Sequence, residues 1–375
     1  MKLLNQANKI RCALILCIAC GASCVSVLAQ TVGDIKVGSG QKHLMRYNGT
    51  KYVIWEPHGV VMVSFEAAPA AFNNVAPYLK YANQNYSTGE IDTIKNFGAD
   101  TIRFMVSQPG TDPQDPNGLY SAAYINHFTA AVQYARSIGL NVILNVQDET
   151  PSGEPNPTGK PNAATQRSWQ RLAPIFNGDH GIMYEIYNEP GYADTTQGWT
   201  NWQTAMNSVI TTVRGTGSQN VILADGLSYG GELDLAANYL LSDSESDTAY
   251  AVHPYFNNVA QEQMSYFQSS FGTFAQGAAV VVTEWYPGSA FFCDGTTAQS
   301  SLSLYQYLSG AGIGITAFAY DFPGMSPDKI SGSIGTDFAG TPTTFLGTSC
   351  GDLSYGPGTV LKSWYNSGSV PSQLE

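Results

Sequence analysis

Eight short apolar runs recur along the chain, at Gly59–Phe65, Thr101–Val106, Asn141–Val146, Ile182–Tyr187, Val221–Ala224, Thr248–Val252, Ala279–Val282 and Gly314–Ala319. Their starts lie 27 to 42 residues apart, which suits one strand, one helix and two loops per interval. Within each run apolar residues follow one another directly, as strands covered on both faces of a parallel sheet require. Helical spacing fills the gaps. Tyr124, Ile125, Phe128, Ala131, Val132, Ala135 and Ile138 stand three and four apart and stop at Gly139, and Ile91–Phe97 stops likewise at Gly98. Further helices are expected at Ala163–Ile175, Trp199–Val213, Gln261–Phe274, Thr297–Leu308 and Val360–Tyr365. Eight such strands with helices recurring between them predict an α/β chain closed into a (β/α)8 TIM barrel. An N-terminal hairpin is expected near Met45–Trp55, and long rim loops at Gln108–Gly118 and Pro151–Pro161. No Pro-, Ser- or Gly-rich linker divides the chain, so a single domain is expected.

Charge narrows the partners. With 17 Lys+Arg against 29 Asp+Glu the net charge is −12, which disfavours a nucleic-acid binder because nothing neutralises phosphates. Hydrophobic residues make up 43% and charged ones only 12%, which excludes disorder and favours a neutral polar ligand. At the N-terminus Lys2, Lys9 and Arg11 precede an apolar stretch from Ala13 to about Ala22 and then Val27-Leu28-Ala29. This pattern predicts an export signal over residues 1–29, cut before Gln30, and a catalytic domain over 30–375. The run is short for a bilayer span and is diluted by Gly21, Ser23 and Ser26, so no stable membrane association is expected after cleavage. The expected product is a secreted monomer, extracellular or periplasmic, of 346 residues with net charge −15.

Beyond the signal only Cys293 and Cys350 remain, and an exported protein with two cysteines is expected to join them in a disulfide. The five histidines are scattered and no C-x-x-C occurs after residue 29, which argues against zinc. Asp115-Pro-Asn117-Gly118 has a calcium-loop flavour, but Pro113 stands where the first ligand belongs. Neither a metal nor any other cofactor is expected.

In a barrel the residues at strand C-terminal ends face the substrate. The fourth strand ends in Asn188-Glu189-Pro190 and the seventh in Thr283-Glu284-Trp285-Tyr286; the second carries Arg103, and the sixth ends in His253-Pro254-Tyr255. Two carboxylates at the mouths of strands four and seven converge across the barrel axis. Retaining glycoside hydrolysis needs such a pair about 5 Å apart, one to attack the sugar and one to protonate the leaving oxygen.

Taken in order, these four motifs resemble glycoside hydrolase family 5, the cellulase family of retaining (β/α)8 enzymes, across essentially the whole chain after residue 29. The resemblance implies that Glu284 is the nucleophile, Glu189 the acid/base and Asn188 a donor to the sugar 2-hydroxyl, with Arg103, His253 and Tyr255 around the nucleophile. A guanidinium and a phenol near Glu284 favour its ionised form, whereas Glu189 must hold a proton near neutral pH. Two positions depart from the family pattern. A His is replaced after strand three by Asn145-Val146-Gln147-Asp148, and a Trp after strand eight by Ala317-Phe318-Ala319-Tyr320. Gln147 can still bond a sugar hydroxyl, and Phe318, Tyr320 or Trp285 can stack on a pyranose face, although Trp285 and Phe318 are equally suited to a core.

Two other classes compete. Gly226-Leu227-Ser228-Tyr229-Gly230 matches the G-x-S-x-G elbow of serine esterases, but only His253 follows, with no room for the intervening sheet. A silent carbohydrate-binding barrel would have lost an acid, and both are present. The expected function is therefore hydrolysis of a neutral β-1,4-linked glucan, with a mannan or another β-glycan as the alternative polysaccharide substrate.

The thiols supply a first test. The 56 residues between Cys293 and Cys350 make a bond between them worth roughly 4 kcal/mol in the chain-entropy account. Mass spectrometry of the unreduced protein should find no alkylatable thiol beyond residue 29; two would rule the bond out.

Overall fold

The structure is a computed structural model that describes residues 30–38, 40, 42–69, 88–255, 261, 263–285, 298–320 and 357–373. The expected export signal at 1–29 and the expected disulfide partners Cys293 and Cys350 lie outside the described residues. Strands β1 (Ile35–Val37), β2 (Leu44–Tyr47) and β3 (Tyr52–Ile54) form an antiparallel sheet in that order. The expected hairpin is β2 and β3, and β1 adds a third strand to it.

Eight further strands close into a parallel barrel: β4 (His58–Met62), β5 (Thr101–Ser107), β6 (Asn141–Gln147), β7 (Ile182–Glu185), β8 (Ile222–Asp225), β9 (Thr248–Val252), β10 (Val280–Val282) and β11 (Gly314–Ala317). They pair in sequence order, and β11 returns to β4 with Thr316 opposite Gly59. The expected (β/α)8 TIM barrel is the observed fold. Around it lie α1 (Thr88–Phe97), the short α2 (Gln108–Thr111), α3 (Ala122–Ser137), α4 (Ala163–Phe176) and α5 (Thr196–Gly215). They are followed by α6 (Met264–Phe267), a π turn at Gln268–Gly272, α7 (Thr273–Ala275), α8 (Ala298–Ala311) and α9 (Pro357–Ser367).

Local chemistry sets the helix ends. The Ser121 hydroxyl accepts the Tyr124 N–H at the start of α3, and Gly139, at φ +86°, ends that helix by taking the left-handed backbone other residues avoid. Asn162 and Thr165 form a reciprocal capping box on α4. One unit departs from the eightfold expectation. Between β8 and β9 the described residues hold a single 3-10 turn at Ala236–Asn238, because Gly230-Gly231 and the acids Asp243, Glu245 and Asp247 leave no apolar stripe for a helix.

Alternation along the strands sorts the core into two regions. Ile102, Phe104 and Val106 of β5, with Val142, Leu144 and Val146 of β6, point outward against the helices. At the N-terminal end the inward residues Ile143, Met183, Leu223, Ala251 and Val281 pack against Ile35, Val37, Leu44 and Trp55 of the small sheet, and a separate apolar group of Val61, Val63 and Met105 lies along β4 and β5. That sheet plugs the bottom of the barrel. Toward the C-terminal end the inward positions are Arg103, Asn145, Glu185, Asp225 and Thr283, all fully buried.

Asp100 fastens the plug. Its carboxylate accepts Arg46 Nη1 at 2.8 Å, the Trp55 indole at 2.6 Å, the His58 N–H at 2.9 Å and the Thr101 hydroxyl at 2.8 Å. Asp100→Ala orphans the buried Trp55 indole and the His58 amide, and should lower stability by about 2–4 kcal/mol, read as an earlier urea midpoint.

Candidate active site

The polar upper half of the barrel is organised by one guanidinium. Arg103 Nε donates to Glu185 Oε2, Nη1 to Glu284 Oε2 at 2.8 Å, and Nη2 to Asn188 Oδ1 and to Glu185 Oε1 at 3.1 Å. Burial opposes its charge, but the facing Glu185 and Glu284 carboxylates raise its proton affinity, so it stays cationic. The same contact works in reverse on Glu185. Burial would raise that carboxyl, yet Arg103 and His253 hold it well below the usual carboxylate range.

Glu284 follows β10 and accepts the Tyr255 hydroxyl on Oε1 at 2.8 Å, while Arg103 holds Oε2. The Tyr255 phenol is raised well above its ordinary range by burial and by the charges of Glu284 and Glu189, so it donates as a neutral hydroxyl. Glu189 follows β7 in a different setting. Its side chain is 30% exposed, against 9% for Glu284, and its backbone sits at φ +49° with its N–H on Asp225 Oδ2 at 2.9 Å. Burial and then the Glu284 charge raise its proton affinity, while His253 Nδ1, 2.9 Å from Oε1, works against them.

Hydrogen bonding fixes the His253 ring. Glu185 is an acceptor, so the Thr283 hydroxyl donates to its Oε1 at 2.7 Å and must accept from His253 Nε2, 3.0 Å away. Burial would lower this imidazole, but Asp225, Glu284, Glu185 and Glu189 together raise its proton affinity well above the ordinary value, which favours the protonated ring. Acceptor atoms of Glu189, His253 and Glu284 all lie within 4.8 Å of one another. Two carboxyl oxygens that close suit attack by one group on a carbon while the other protonates the oxygen that leaves it, whereas inversion needs about 6.5–9.5 Å to seat a water. Glu185, Asp225 and His253 also come within 4.8 Å of one another, a spacing that would admit a cation, but Arg103 already supplies positive charge there.

The structure thus brings together Glu189, Glu284, Arg103, Asn188, His253 and Tyr255. Gln147 is buried at the end of β6, its Nε2 on the Asp148 carbonyl at 3.1 Å and its Oε1 without a partner among the described residues. Phe318 is partly exposed just beyond β11, beside Val61, Val63 and Met105. Trp285 and Tyr320 go elsewhere. Trp285 is fully buried and packs edge-on against Tyr305 of α8, and the buried Tyr320 hydroxyl lies 2.7 Å from Thr93 of α1, which puts both in the core. Strand alternation ends with β10 at Val282: Thr283 and Glu284 both turn toward the site, and Trp285 packs among the helices.

Sequence reasoning passed over Glu185, Asp225 and Thr283. The available signal was a polar residue ending an otherwise apolar strand, as in Ile-Met-Tyr-Glu185 and Ile-Leu-Ala-Asp225. Ser228 lies on a rim turn at φ +52°, and both His253 nitrogens are engaged by Glu189 and Thr283, so the G-x-S-x-G segment forms no triad.

Known proteins place this architecture. The chain resembles the catalytic domain of Thermobifida fusca endoglucanase Cel5A at 16% identity, over 89% of this chain and 98% of that one, with a TM-score of 0.64. An endocellulase from Pyrococcus horikoshii in complex with cellotetraose matches at 13% identity over 79% and 94%, with a TM-score of 0.60. The endo-β-1,4-glucanase of Xanthomonas axonopodis pv. citri matches at 20% identity over 71% and 89%, with a TM-score of 0.54. At such identities these likenesses speak for the fold. The family model of the cellulases, glycosyl hydrolase family 5, matches residues 66–322, and with more than half its length covered the chain belongs to that family of retaining glycoside hydrolases.

Proposed function

We infer that this protein is a secreted endo-β-1,4-glucanase that cleaves neutral β-glucan, with Glu284 as nucleophile and Glu189 as acid/base. One observation carries the role assignment: two carboxyl groups within 4.8 Å of each other have opposite surroundings. Glu284 receives a guanidinium and a phenol hydroxyl, which suit a carboxylate. Glu189 is pushed toward its protonated form by burial and by the Glu284 charge.

Chemistry follows from that asymmetry. A lone pair of the Glu284 carboxylate attacks the anomeric carbon, the glycosidic C–O bond breaks, and the Glu189 proton goes to the leaving oxygen. Ester formation removes the Glu284 charge, and with it one cause of the high proton affinity of Glu189. The group that gave a proton is thereby readied to take one from water, whose oxygen attacks the anomeric carbon and releases Glu284. Asn188, its Oδ1 held by Arg103, would donate its amide to the sugar 2-hydroxyl; Gln147 Oε1, without a partner among the described residues, would accept from another hydroxyl, and Phe318 would offer an aromatic face. Cello-oligosaccharide binding by the Pyrococcus horikoshii relative, the low charged fraction and the leader pattern support a neutral glucan met outside the cell.

A panel of soluble β-glucans and β-mannans decides the substrate, with the fastest turnover expected on a β-1,4-glucan; a preference for mannan would overturn that choice. Glu284→Gln should lose at least about 10⁴-fold in kcat on any of them. Azide should rescue Glu189→Ala to a β-glycosyl azide and Glu284→Gly to the α product, and the reverse pairing would exchange the two roles. Activity requires protonated Glu189, so kcat/KM should fall as pH rises through its raised pKa, giving an alkaline limb above the ordinary glutamate range. Glu189→Gln should abolish that limb along with activity on unactivated substrates.

A further inference from the structure

Four carboxyl groups, Glu185, Glu189, Asp225 and Glu284, meet two cations, Arg103 and His253, at the top of the barrel. Arg103 of β5 bonds Glu185 at the end of β7 and Glu284 after β10 directly. His253 after β9, favoured in its protonated form by the facing Glu284 and Glu185, supplies the second positive charge, and the Tyr255 phenol beside Glu284 is neutral. Two carboxyls therefore exceed the available cations. Buried charge without compensation is strongly disfavoured, so both surplus groups hold protons. The reading above already assigns one proton to Glu189, on which this inference rests; the other falls to Asp225.

Asp225 closes β8 and is fully buried. Its carbonyl accepts the Trp202 indole at 2.8 Å, which anchors the strand end to α5. One carboxyl oxygen, Oδ2, accepts the Glu189 N–H and stands 3.6 Å from His253 Nε2, while Oδ1 has no partner among the described residues. An ionised carboxylate calls for more donors than one amide. Burial and the facing Glu185 charge favour the protonated form in the same direction. Glu189, at φ +49°, holds a left-handed backbone that a side chain disfavours, so something must secure it.

We propose that Asp225 is a positioning residue for the acid/base: a neutral carboxyl that fixes the strained Glu189 backbone through its N–H without adding negative charge beside the catalytic proton. A charged group there would raise the proton affinity of Glu189 further and would hinder its turn as a base. A neutral acceptor orients the proton and leaves Glu284 to modulate it.

The experiment compares Asp225→Ala and Asp225→Asn on a soluble β-glucan, which needs the acid, and on dinitrophenyl β-cellobioside, whose leaving group does not. Asp225→Ala should lose on the order of 100-fold in kcat on the glucan with KM within about threefold, yet no more than about fivefold in the dinitrophenolate burst. Asp225→Asn keeps a neutral acceptor and should restore glucan turnover to within about fivefold, with the alkaline limb in place. Equal losses on both substrates, or failed rescue by Asn, would overturn the positioning role. Removing a negative charge makes Glu189 easier to deprotonate, so a limb lowered by about one unit or more in Asp225→Asn would show that Asp225 is ionised. The Asn variant decides the question even if the Ala variant does not fold. Glu189→Ala in parallel separates the two ideas: a loss equal on both substrates there sinks the acid/base assignment itself.

Discussion

The buried guanidinium of Arg103 is the interaction on which the upper half of this barrel depends. Glu185 and Glu284 both reach into a region where an isolated carboxylate would be expensive to hold. Arg103 offers five donors in a rigid plane, and the structure directs them to three side chains from two loops and a strand. Removing it would leave Glu185 buried without its counter-ion and would release Asn188 and Glu284 together. Structural and chemical roles are therefore not separable at this position.

The barrel is strongly polarised along its axis, and that polarity explains where chemistry is possible. Its lower interior is apolar and sealed by the N-terminal sheet, with Trp55 and Asp100 locking the two together. The upper interior is a connected set of charges in which each proton is tied to its neighbours through His253 and Thr283. Packing at the bottom supplies rigidity; hydrogen bonds at the top spend it on orientation. The G-x-S-x-G turn after β8, chemically suggestive alone, becomes rim scaffolding because His253 is already committed on both nitrogens.

Two glutamates at equivalent strand ends differ only in what surrounds them. Glu284 lies deeper, between a cation and a phenol, whereas Glu189 is more open and sits on a strained turn beside an imidazolium. Their mutual repulsion is useful, because it is strongest when Glu189 must hold its proton and disappears when Glu284 is esterified. Such coupling needs the two groups close enough to interact and different enough not to exchange roles.

Much of this was legible in the sequence by itself. Continuous apolar runs at regular spacing determined the parallel barrel, and Asn188-Glu189-Pro190 and Thr283-Glu284 at strand ends marked the two acids, because period and strand position are local properties. The phase of each strand was not local. Whether a residue faces the axis or the helices depends on register with both neighbours, so Trp285 reads as a cleft aromatic in sequence and is core in space, and Tyr320 likewise. Glu185 and Asp225 read as incidental polar residues in apolar strands until closure of the barrel brings them to Arg103 and His253 from 82 and 28 positions away. Sequence determined which chemistry was present; only the tertiary structure decided how many charges share one buried space, and hence which of them carry protons.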